Sequence, residues 1–134
     1  MRKILTTMII LAGGLIFMSF AVVPENNSMN KSQKANLVIP NGVHSVIMQH
    51  CFMCHNMKSR GVKSKEKLNF DLLTHMELPT IVAKLQNISD AVNNDKMPPK
   101  KFLEHHPEKA LNAYDKSLLT KWAVASADSL LRNK

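Results

Sequence analysis

Glycine and aromatic residues are scarce in this chain. Four glycines occur, two of them (Gly13 and Gly14) in the first segment, and internal repeats are absent. The apolar/polar alternation of strands is missing except in the short run "NLVIP" at 36–40, so an all-α domain is expected. A single tyrosine, a single tryptophan and no arginine cluster argue against a nucleic-acid partner. Acidic residues are outnumbered, ten against eighteen basic ones, for a net charge of +8. Such a balance can steer a protein to acidic partners or anionic lipid. The lysines are nonetheless scattered without a dense run, as ordinary solvated helix faces would have them.

What is present first is an apolar stretch. Arg2 and Lys3 precede a run from Ile4 to Val23 interrupted only by Thr, Gly and Ser, the charged and apolar regions of a secretory signal. Ser19 and Ala21 offer small residues for cleavage after Ala21. The run is also about long enough to cross a bilayer, so retention as a membrane tether through residues 4–23 is the alternative. No cysteine follows it to accept a lipid. Residues 24–34, "PENNSMNKSQK", are polar and aperiodic, which marks a linker. The folded domain is expected over 35–134, in a periplasmic or other extracytoplasmic location. With Arg2 and Lys3 removed the exported part keeps a net charge of +6.

Three helices stand out. After the turn residues Pro40, Asn41 and Gly42, no breaker interrupts the chain through the cysteines, so a first helix is expected from Gly42 to His55. Ile81, Leu85, Ile88 and Val92 form the apolar stripe of a middle helix. Pro79 falls in its first turn, and Asn93 with Asn94 marks its end. Asn112 with Asp115 forms a cap pattern before a last helix over 113–131, whose face runs through Leu118, Leu119, Trp122, Ala123, Ser126 and Leu130. The basic stretch 56–67 is expected as loop. So is the stretch around Pro98, Pro99 and Pro107, which those prolines keep from forming a regular helix.

Both cysteines lie in "HCFMCHNM", residues 50–57. A disulfide across C-x-x-C closes so small a loop that it constrains the unfolded chain little, and a thioredoxin-like pair needs a βαβ context. Zinc needs a second ligand pair at related spacing, whereas the adjacent His105 and His106 diverge. C-x-x-C-H is also the signature for covalent haem attachment. Spacings of three and four bring Cys51, Cys54 and His55 together on a helical turn. Two thioethers can then hold the porphyrin edge while imidazole Nε2 meets iron and Nδ1 donates to a backbone carbonyl. One haem c, bound through Cys51 and Cys54 with His55 on iron, is the expectation.

The second axial position separates electron transfer from ligand chemistry. Met48, Met53 and Met57 adjoin the attachment segment on the side of His55, and Met29 lies in the linker. Met76 and Met97 remain, and Met97 is favoured because Pro98 and Pro99 stiffen its loop. The rival makes Met97 a core filler, with iron five-coordinate or bound by His75 or His105.

"CFMCH", "KLNFD" at 67–71, "KMPP" at 96–99, "HPEKAL" at 106–111 and "LLTKWA" at 118–123, in that order, resemble the bacterial haem-binding domain family of the monohaem cytochrome c type. The resemblance implies a small cytochrome c-like helical domain whose first and last helices pack behind the haem, with Cys51, Cys54 and His55 binding it and Met97 as distal ligand. The loop "NMKSRGVKSKE" departs from many relatives in being lysine-rich without aromatics. The expected role is an electron carrier with unidentified redox partner proteins, rather than an enzyme. Two alternatives are a peroxidase-like enzyme using Glu104, His105 and His106 as acid and base groups, and a haem-based sensor or subunit of a larger oxidoreductase complex.

Overall fold

The computed structural model describes residues 36–132. The expected signal or anchor (1–23) and polar linker (24–34) lie outside the described residues. Among the described residues six helices follow in order: α1 Asn41–His50, α2 Val62–Lys67, α3 Phe70–Leu73, α4 Leu78–Asn93, α5 Lys100–Leu103 and α6 Ala113–Arg132, with a 3-10 turn over Pro107–Lys109. Among the described residues there is no strand, and the fold class is all-α.

The frame is the packing of α4 on α6, with α1 laid against α6. All four stripe residues of α4, Ile81, Leu85, Ile88 and Val92, are buried, joined by Leu78 and Val82. From α6 come Leu119, Trp122, Ala123 and Ala127; the two alanines let the helices approach closely. Each fully buried leucine or isoleucine contributes about 1.5–3 kcal/mol. Val43, Val46 and Ile47 bring α1 into the same core. Ahead of it, Leu37 is buried and the Trp122 indole Nε1 donates to the Val38 carbonyl at 3.1 Å, so "NLVIP" is an extended arm tied to α6.

Two helix ends determine where the chain goes next. At the start of α6, Asp115 N donates to Asn112 Oδ1 at 2.8 Å and Asn112 Nδ2 donates to Asp115 Oδ2 at 2.7 Å, the reciprocal cap its sequence indicates. At the end of α4, Asp95 N bonds Val92 O and Lys96 N bonds Ala91 O at 2.8 Å, the paired bonds of a Schellman turn. Its left-handed residue is Asp95, at φ 53°, rather than a glycine. Aspartate tolerates this region better than most side chains, and its carboxylate is held by Lys116. That turn directs the chain into Met97, which is followed by a cis bond to Pro98.

Three expectations need correction. The first helix stops at His50, not His55: Phe52 N bonds back to Ile47 O at 2.8 Å, and the resulting turn keeps Cys51 and Phe52 packed against the core. The stretch 56–67 is not all loop, since α2 occupies its second half. The proline-rich stretch contains α5 and the 3-10 turn, because Pro99 and Pro107 sit at helix starts, where a missing N–H has no cost.

Candidate functional site

Cys51, Cys54, His55 and Met97 line one cavity of about 900 Å³. The volume is within the range of ~300–1,000 Å³ usual for small-molecule and cofactor sites. Several parts of the fold make its walls, α5 and α6 contributing Phe102 and Leu119. The turn after α1 supplies the cysteines and His55, α2 with the residues after it supplies Leu68 and Phe70, and the end of α4 leads into Met97 and Pro98.

The turn at 51–55 keeps one helical hydrogen bond, His55 N to Cys51 O at 3.1 Å, beside Cys54 N to Cys51 O at 3.1 Å. Spacings of three and four therefore still gather the three side chains although the helix proper has ended. Both thiols are free. Burial pushes the Cys51 thiol up to about 12, with the charge of Cys54 adding to the effect, so Cys51 is a neutral thiol at ordinary pH. Among the described residues no cluster of three or more His, Cys, Asp or Glu is positioned to hold a metal ion.

His55 is fixed on three sides. Its Nδ1 lies 3.1 Å from the Ser64 carbonyl and 3.0 Å from that of Leu68. Carbonyls only accept, so Nδ1 carries the proton and, in the neutral ring, Nε2 keeps its lone pair. Phe70 meets the ring edge-on with centroids 6.4 Å apart, and Phe70 N donates to the His55 carbonyl at 3.0 Å. The carbonyls that face His55 come from α2 and the residue after it. A further tie holds α2: the Lys84 ammonium, from α4, donates to the carbonyls of Lys67 and Glu66. Behind Phe70, the buried Asn69 accepts from Asp71 N at 3.1 Å, and Asp71 Oδ2 accepts from Met57 N at 2.9 Å, which pins the loop after the cysteines.

The residue before Cys51 is anchored as well. The His50 side chain is 4% exposed, with Nδ1 donating to the Lys109 carbonyl at 2.9 Å and Nε2 3.7 Å from Asp115 Oδ2. Lys109 Nζ answers with a 3.0 Å bond to the Gln49 carbonyl. The rival ligands and acid/base groups lie apart from this cavity. Met76 packs on the core, His75, Glu104 and His105 are exposed, and His106 stacks on Phe102 at 4.7 Å. Among the described residues none of these five lines the cavity, whereas Phe102 does.

His50, Ser64, Leu68, Phe70 and Lys84 are site residues that the sequence left unassigned. "KLNFD" holds two of them, and its Asn-x-Asp spacing is a local signal for the α3 cap at Asn69. The donor set fits an iron porphyrin: one imidazole with a lone-pair nitrogen, two free thiols beside it and one thioether, around a cavity of adequate volume.

No curated protein and no solved structure matches the chain. A family model described as "haem-binding domain" matches residues 56–125. The match begins immediately after His55 and takes in Leu68, Phe70, Lys84 and Met97. Over that span, more than half of its length, this chain belongs to the haem-binding domain family.

Proposed function

We propose that this haem-binding protein is an exported monohaem c-type cytochrome, an electron carrier rather than an enzyme, working with redox partner proteins in the periplasm or another extracytoplasmic space. The folded domain then runs over 35–134, behind a signal or tether (1–23) and a linker (24–34). Haem is the cofactor of the family, and when bound it supplies one-electron exchange at iron. Cys51 and Cys54 would hold it through thioether bonds, and His55 Nε2 and Met97 would serve as the iron ligands. Such a His and Met pair would raise the reduction potential relative to two histidines.

One observation carries this reading: His55 Nδ1 is bonded to two carbonyls, which reserves Nε2, at a cavity that Met97 and both cysteines also line. The Ser64 and Leu68 carbonyls hold the imidazole in one tautomer and orientation, as partners of metal-bound histidines do. Phe70 and Phe102 add apolar walls that limit water. The test is the spectrum of the intact protein in both oxidation states, with its mass. One covalent haem, a low-spin reduced spectrum and a methionine-to-iron charge-transfer band that Met97→Ala removes are expected. Haem that extraction releases would sink the covalent assignment. Rapid cyanide binding by the native protein would replace His/Met ligation with an open site and favour an enzyme or sensor.

A further inference from the structure

Two short segments of the sequence carry much of the positive charge, and the fold sets both beside the cavity. Segments 58–67 and 96–101 hold eight basic residues and one acidic residue, while the remainder of 36–132 holds five basic and eight acidic. Both segments border the cavity, through Lys63 and Lys67 from one and Lys96 from the other. All three lysines are exposed, as are Lys58, Arg60, Lys100 and Lys101. Lys84, which also lines the cavity, has its ammonium bound to backbone carbonyls. Among the described residues the charge is thus uneven, with both basic segments beside the cavity and a net negative charge over the rest of 36–132.

The 53–62 stretch adds apolar surface. Met53, Met57 and Val62 are 52, 59 and 61% exposed, interleaved with Lys58 and Arg60. Exposed thioethers give contact area that adapts to the surface they meet. Apolar contacts bordered by charge are the anatomy of a protein interface, and transient redox encounters need less than about 1,200 Å².

We infer that the two lysine segments flanking the cavity form a docking surface for an acidic protein, steered by charge, with Met53, Met57 and Val62 adding apolar contact beside Lys58 and Arg60. This rests on the electron-carrier reading and specifies its partner: the surface brings an acidic protein to the cavity mouth.

The test uses the haem-loaded, isotope-labelled protein with poly-L-glutamate as acidic probe, at low and high salt. Amide shifts concentrated in 58–67 and 96–101 are expected. Lys63→Glu/Lys96→Glu should weaken binding at low salt by about tenfold or more, since steering by a charged cleft is worth roughly 10–10³. Lys121→Glu/Arg132→Glu, which changes net charge equally on exposed positions of α6, should change it by less than about twofold. Equal losses in the two variants, or shifts centred on α6, would overturn the inference. Binding to phosphatidylglycerol vesicles that depends on Lys63 and Lys96 while poly-L-glutamate gives no localised shifts would assign the surface to a membrane instead. The optical spectrum of the same sample separates the two levels. Haem present with shifts elsewhere removes the docking surface alone, and a protein without haem removes the carrier reading and this inference together.

Discussion

The Leu68 carbonyl lies 3.0 Å from Nδ1 of His55, thirteen residues before it. A second carbonyl, from Ser64, faces the same nitrogen, so one ring proton is shared between two acceptors. The expected outcome is a proton on Nδ1, checked by the nitrogen shifts of His55. His55→Ala should remove the low-spin spectrum while circular dichroism keeps its helical signal, because no core residue of α4 or α6 is touched. Loss of helix in that variant would count against His55 as a purely local donor.

Lys84 acts at one remove. Its ammonium holds the carbonyl end of α2, whose Ser64 carbonyl in turn faces His55. Lys84→Met should cost about 1 kcal/mol by denaturant titration, the scale of a half-exposed hydrogen bond to a charged group, and should broaden the His55 ring resonances. Lys84→Arg, which can still donate to both carbonyls, should restore most of both.

The Asn112–Asp115 cap gives a plainer prediction. Asn112→Ala removes both bonds at the start of α6 and should lower stability by about 1 kcal/mol. Leu85→Ala, at a fully buried position of α4, should cost about 2–5 kcal/mol. The ranking of the two variants in thermal unfolding is the check, with Leu85→Ala the more damaging.

Cys51 sets an alkaline limit for the haem-free chain. Its thiol ordinarily titrates near 9.0 and burial raises it to about 12 in the fold. Below pH 9 both folded and unfolded chains hold the proton and nothing is lost. Above it only the unfolded chain ionises, so stability falls between pH 9 and 12, by at most about 1.4 kcal/mol per pH unit. Denaturation at stepped pH should show that slope, and Cys51→Ala should flatten it.

Much of the frame could be read from local pattern. The α4 stripe and the Asn112–Asp115 cap depend on residues three or four apart, and both occur as the spacing predicts. The end of α1 could not be read this way, because nothing between Val43 and His55 breaks a helix. The turn there follows from seating Cys51 and Phe52 on a core made largely by residues thirty to seventy positions later. The prolines were misleading in the opposite direction: Pro99 and Pro107 start short helices instead of excluding them. For the site, the cysteine cluster and Met97 are visible in sequence as candidates. Their shared cavity, the grip of Lys84 on α2 and the exchange between His50 and Lys109 are long-range and appear only in three dimensions.

The dominance of the α4 and α6 pairing also bears on the order of events in folding. Those helices are neighbours along the chain apart from a nineteen-residue connection, 94–112, while α1 must reach α6 from the other end of the domain. Closing the shorter loop loses less chain entropy, and contacts of low sequence separation form faster. Amide protons of α4 and α6 should therefore exchange most slowly, and those of the Cys51–His55 turn sooner. The attachment segment is thus the last part to close on a scaffold already standing.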